Sequence, residues 1–181
     1  SFFFSCFCFL VFINSFNMFD GINLQSAFYS IIILTSLILF YSNSLLLKIL
    51  LIVFITYSYL NFKNKSFLGD GGSLLISFII GYLFIKLYNL EKISFADEIF
   101  IFMMIPGIDM VRLFFKRILN KRNPFSSDRL HLHHFLILKF SHAKTILIIC
   151  TLILAPIILM LFGMNQLTII LLTIIVYSFL M

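Results

Sequence analysis

Charge is scarce in this sequence. Asp, Glu, Lys and Arg make up 11% of its 181 residues, while 62% are hydrophobic and the mean hydropathy is +1.13. A soluble domain carries about 25% charged and about 45–50% apolar residues. An apolar surplus this large cannot be buried in one soluble core. Lipid must cover much of it, which excludes an ordinary soluble enzyme and points to a membrane protein. Cysteine is also sparse. Cys6, Cys8 and Cys150 lie in apolar runs without metal-ligand spacing or a disulfide pattern, so they read as small packing residues. Repeats and low-complexity linkers are missing too, and residues 1–181 are read as part of one domain. The opening apolar run, 2–13, lacks the basic flank and small-residue cleavage site of a secretory leader, so a transmembrane helix fits it better. The chain starts at Ser1 inside that run and ends at Met181 inside another, which leads us to expect a piece of a longer protein.

What is present is a series of long apolar stretches: 2–13, 24–41, 45–60, 74–88, 99–115, 145–162 and 167–180. They are continuous rather than alternating, so strands are excluded, and with their polar flanks they approach the roughly 20 residues that span a bilayer. The expected fold is an all-α, polytopic transmembrane bundle of about seven helices. The connections then fall alternately on two sides. Side one receives 14–23, 61–72 and 116–142, and side two receives 42–44, 89–98 and 163–166. Lys63, Lys65, Lys116, Arg117, Lys121, Arg122, Arg129 and Lys139 fall on side one, with Lys144 just beyond it, whereas side two has only Lys86 and Lys92 nearby and Lys48 just inside a helix. The positive-inside rule makes that side cytoplasmic and accounts for the basic stretch without nucleic acid.

Counting helices also gathers the unusual polar residues on that same side. In residues 14–23, Asn14 and Asn17 share a helix face and Asp20 continues the stripe. Amides there can bind a base, a sugar hydroxyl or a phosphate oxygen. Asp20 can ligate metal or take a proton; the plainer alternative is a helix end closed by Asp-Gly. In residues 67–73, Gly69, Gly71 and Gly72 allow close backbone approach to a ligand. The helix that follows offers free N–H groups to phosphate, and Asp70 adds the hard oxygen that magnesium prefers. A simple turn with an Asp N-cap is the alternative. In residues 123–134, Pro124 and two serines mark a loop turning toward a helix. Arg129 can grip phosphate, and His131, His133 and His134 can stabilise a diphosphate. Zinc binding lacks a completing ligand. Inside an apolar run, Asp109 is a costly embedded carboxylate and so a functional candidate, but Arg112 stands three residues on and structural pairing of the two is the favoured reading.

In order and spacing these segments resemble the polyprenyl-phosphate N-acetylhexosamine-1-phosphate transferases of bacteria. Residues 14–21 are similar to the family's Asn-x-x-Asn-x-x-Asp-Gly segment, and 67–73 to its Phe-x-Gly-Asp-x-Gly-Ser loop. Pro106, Asp109 and Arg112 resemble its Pro-x-x-Asp-x-x-Arg helix, and 123–134 its Pro-Phe-x-x-Asp-Arg-x-His-x-His-His loop. The chain departs from the pattern at Asn23 and Leu24, where the family has Asp and Gly, and at Asn123, where it has Ser.

The resemblance implies an enzyme of the bacterial plasma membrane with a cytoplasmic active site. A polyprenyl phosphate (undecaprenyl phosphate) attacks a UDP-N-acetylhexosamine, UMP leaves, and a lipid-diphosphate-sugar starts a cell-surface polysaccharide. It further implies Mg²⁺, with Mn²⁺ as a substitute, held by Asp70 with Asn17. Catalytic roles fall to Asp20, Asp70, His131, His133 and His134. Substrate binding falls to Asn14, Asn17, Asp128, Arg129 and Arg117. A homodimer is compatible, and nucleic acid is not a partner. The family's N-terminal helices and their Asp-Asp motif are not in this sequence, so the chain is expected to be a C-terminal part that does not complete catalysis alone. The competing reading, a cation-binding transporter fragment, requires polar residues near the bilayer midplane.

Overall fold

The computed structural model describes residues 2–124 and 130–181, and the described residues are helical without strands. The expected all-α bundle is what forms. Its elements are α1 (Phe2–Phe19), α2 (Gln25–Phe40), α3 (Leu45–Phe62), α4 (Gly69–Asn89), α5 (Ala96–Leu119), α6 (Leu132–Lys139), α7 (His142–Leu161) and α8 (Gln166–Leu180). Seven of them match the seven apolar stretches. The eighth, α6, has 8 residues and lies within the connection read as a loop turning toward a helix. At about 1.5 Å per residue it is far too short to span a bilayer.

By length and composition α3, α4 and α7 are each able to cross a membrane, and α1, α2 and α8 are shorter apolar helices. The outer faces suit lipid. Of the 18 residues in α3, only Leu47, Phe54 and Asn61 are buried. The rest of that face, with Leu45, Ile52, Val53 and Tyr59 exposed, is more apolar than a water-facing helix tolerates.

Inside, α1 packs on α4 and α5, α2 on α3 and α7, and α8 closes against α5 and α7. Aromatic rings fill the junctions. Phe16 meets Tyr29 edge-on at 5.3 Å between centroids, Phe19 meets Tyr29 at 5.7 Å, and Phe84 meets Phe102 at 5.1 Å. Such pairs contribute about 0.5–1.5 kcal/mol each beyond the area they bury.

Pro106 sits inside α5. A proline has no N–H, so the carbonyl four residues earlier, on Phe102, loses its helical donor. The Tyr29 hydroxyl of α2 takes that place, donating to Phe102 O at 2.8 Å, and Tyr29 is fully buried. Tyr29→Phe leaves this carbonyl without its tyrosine donor in a dry interior. The expected loss is about 1–3 kcal/mol of stability, read as a lowered midpoint of thermal unfolding in detergent.

The connections sort as the helix count requires. On one end Asn23 donates to Asn64 at 2.5 Å, and the Leu24 N–H donates to Asn61 Oδ1 at 2.6 Å, joining the α1–α2 and α3–α4 turns. On the other end Tyr41 donates to Glu98 at 2.9 Å, joining the α2–α3 and α4–α5 connections.

Candidate functional site

Three turns distant in sequence meet at the first of those ends. Helix α1 continues through Phe19, so Asn14 and Asn17 lie on one face, as their spacing requires. Asn14 Nδ2 donates back to Leu10 O at 2.8 Å. Asn17 reaches across to α4, its Oδ1 accepting from the Ser73 hydroxyl. Ser73 is fully buried and also donates to the Asp70 carbonyl at 3.0 Å. Asn17 is thereby tied to the first turn of α4, where Asp70 stands. The alternative of an Asp N-cap does not hold: Leu68 occupies the N-cap and gives no side-chain hydrogen bond, so the first N–H groups of α4 keep no capping side chain. Gly69 precedes Asp70 with φ +65, a left-handed conformation that glycine adopts without strain.

Asp20 follows α1 directly. Ser26 of α2 donates to its Oδ1 at 2.5 Å. Its carboxyl is raised above the usual carboxylate range, chiefly by burial and further by the negative charge of Asp70, while the Ser26 hydrogen bond opposes the shift. The two carboxylates therefore feel each other, and among the described residues neither has a basic partner. Like charges gathered without a counter-ion favour a cation between or beside them. Mg²⁺ is typically held by one or two carboxylates together with water and substrate phosphates. Asp70, Asp20 and the Asn17 amide oxygen are donors of that kind. Among the described residues no group of three His, Cys, Asp or Glu is placed to hold a metal ion.

The histidines close the site from the other side. The Gly21 backbone lies so near the His133 imidazole that a Cβ at this position would overlap the ring. His131 and His133 stack in parallel, 5.6 Å between centroids, and His134 lies 4.2 Å from His133. His133 is only 2% exposed, and its pKa is pushed down to about 3 by burial first, then by the neighbouring His134 and His131. A folded-state value below the ordinary 6.5 means that the neutral ring is preferred. Its contribution to stability is complete above about pH 6.5 and is lost as pH falls from there toward about 3. The thermal unfolding midpoint should therefore drop between about pH 7 and pH 5, and His133→Gln should flatten that slope.

Arg117, expected to bind substrate, lies in the last turn of α5. It is buried, with Nη1 donating to Pro124 O at 2.8 Å, so the guanidinium braces the segment leading into the histidines. Asp128 and Arg129 lie outside the described residues. The expected Asp109–Arg112 pair forms at 2.9 Å, with Asp109 buried.

Several residues of this end were not singled out from sequence. Ser26 and Ser73 orient Asp20 and Asn17, and only their polarity beside the Asp-Gly and Gly-Asp segments could have marked them. Asn61 bridges Leu24 N and Ser66 O, the latter at 2.8 Å. Asn23, Leu24, Phe62, Asn64 and His142 line an adjoining cavity of about 250 Å³. Leu24 is left-handed there, with φ 73, a conformation that costs a bulky L-residue about 1–2 kcal/mol and a glycine nothing.

The comparisons with known proteins agree with the motif resemblance. Residues 1–88 match the model of glycosyl transferase family 4. An undecaprenyl-phosphate alpha-N-acetylglucosaminyl 1-phosphate transferase of Salmonella typhi is 30% identical over 137 residues, covering 67% of this chain and 36% of the relative. The protein of the same name from Escherichia coli (strain K12) is 31% identical over 137 residues, covering 68% and 37%. That from Haemophilus influenzae is 35% identical over 80 residues, covering 41% and 21%. The chain thus spans little more than a third of the first two relatives. No solved structure gives a match.

Proposed function

From the premise that this chain is a relative of glycosyl transferase family 4, we propose that it forms part of a bacterial plasma-membrane enzyme. That enzyme transfers N-acetylhexosamine-1-phosphate from a UDP-sugar to a polyprenyl phosphate, releasing UMP. The reading rests on one observation above all: Asp20, Asp70 and His133, from three separate connections, converge around Gly21 at one end of the bundle.

Phosphoryl transfer depends on alignment and on charge stabilisation, and this end supplies both kinds of group. Asp70, with Asn17 and Asp20 alongside, would hold Mg²⁺, which would neutralise the diphosphate. Asn14 and Asn17 face the nucleotide sugar along α1. His133 and His134 offer ring nitrogens to phosphate or sugar oxygens across Gly21. The apolar outer faces of the helices leave the lipid tail in the bilayer while its phosphate reaches the polar end. The basic residues of that end support a cytoplasmic orientation for it, the side that supplies UDP-sugars. A cation-transport reading calls for free polar groups at mid-membrane, whereas the buried carboxylate of α5 is filled by protein donors.

The test is direct. Membranes carrying the full-length protein should release UMP from UDP-N-acetylhexosamine only when polyprenyl phosphate and Mg²⁺ are both present. Release without the lipid phosphate, or none with both, would overturn the proposal.

A further inference from the structure

We propose that Asp109 is a positioning residue for this enzyme, fixing His131 as the Nδ1–H tautomer and fastening the histidine segment to α5. Its role in turnover rests on the transferase reading; its effect on His131 does not.

Among the described residues, four donors around Asp109 are divided unequally between its oxygens. Oδ1 accepts from Arg112 Nη2 at 2.9 Å, from the Leu132 N–H at 3.1 Å and from the Tyr177 hydroxyl at 2.5 Å. Among the described residues Oδ2 meets only His131 Nδ1, at 2.7 Å. Arg112 in turn donates to Tyr177 Oη at 3.0 Å and to Leu130 O at 2.5 Å. Asp109 is 3% exposed, so its carboxylate is shielded from bulk water.

A carboxylate oxygen can only accept, so His131 Nδ1 must carry the proton. Nε2 then remains as the nitrogen able to accept a proton or meet a ligand, the logic by which a carboxylate orients a histidine in other sites. The same network holds the backbone on both sides of His131, at Leu130 O and Leu132 N, and His131 stacks on His133 above Gly21. Tyr177 lies 68 residues along the chain, in α8, so the last helix sets the seat of the histidines.

The asymmetry of the donors makes Asp109→Asn informative. Oδ1 of the new amide keeps the place facing three donors, and the NH₂ falls opposite His131. Nδ1 must then accept, and the proton moves to Nε2. The experiment is ¹⁵N NMR of histidine-labelled full-length protein in detergent at about pH 8, with His131 assigned by His131→Gln. The expected result is Nδ1–H in the wild type and Nε2–H in Asp109→Asn, accompanied by a fall in kcat of about 10²-fold or more with little change in KM for the nucleotide sugar. Tyr177→Phe keeps the ring, and it should retain the Nδ1–H form with faster exchange of that proton.

Nε2–H in the wild type, or an unmoved tautomer in Asp109→Asn, would overturn the inference. The wild-type spectrum decides the matter even where Asp109→Asn does not accumulate. Wild-type protein that shows Nδ1–H but releases no UMP would sink the transferase reading and leave the assignment of His131 standing.

Discussion

Asp70→Asn in the full-length protein should insert, fold and pack as the wild type does, yet release UMP about 10²–10³-fold more slowly. The substitution is nearly isosteric. The Asp70 carboxylate makes no ion pair among the described residues, so its removal breaks no salt bridge of the fold. The backbone contact through Ser73 uses the Asp70 carbonyl and survives. What changes is charge beside a second carboxylate, Asp20, whose proton affinity is raised chiefly by burial and in smaller part by Asp70. Removing the Asp70 charge should relieve the smaller part of that rise, leave the part due to burial, and weaken the hold on a divalent cation. The check is UMP release against Mg²⁺ concentration, paired with thermal unfolding of the same preparation. A wild-type response to Mg²⁺ would rule out Asp70 as the metal's main ligand.

Gly21→Ala should be nearly as damaging, for a steric reason. The added methyl overlaps the His133 ring, and that ring cannot step aside freely because it is buried between His131 and His134. Overpacking of this kind costs about 1–3 kcal/mol. Relief by displacement of the ring would carry the histidine segment away from Asp20, at a cost of about 10²-fold in turnover. His133→Ala in the same chain removes the clash. The double variant should therefore regain the unfolding midpoint of His133→Ala alone while remaining slow. Equal midpoints for wild type and Gly21→Ala would show that the two segments do not touch in solution.

Much of this architecture was legible in the sequence because a bilayer allows few solutions. Backbone groups in lipid must be satisfied within the segment, so long apolar runs become helices, and loop sides follow by counting. The three polar clusters consequently fall at one end, and the pairing of Asp109 with Arg112 follows from a spacing of three on a helix. The limits are equally physical. Helix α6 lacks the length that hydropathy detects. The contact of Arg117 with the Pro124 carbonyl was not legible, because the residues of a basic cluster look the same whether they face water or a backbone carbonyl. The partnership of Tyr177 with Asp109 joins positions whose proximity only tertiary packing creates. The exchange of Asp and Gly for Asn23 and Leu24 was visible as a departure, but the Asn23–Asn64 contact that accompanies it was not.

The bond from Tyr29 to the carbonyl released by Pro106 makes two positions on different helices dependent on one another. With alanine at 106 the helix would supply its own donor, and losing the tyrosine hydroxyl would then cost little; with proline it costs the full amount. The two substitutions are thus epistatic, and their order matters. A lineage could have accepted the proline at low cost once the tyrosine was already in place, whereas the reverse order would have passed through a weakened ancestor.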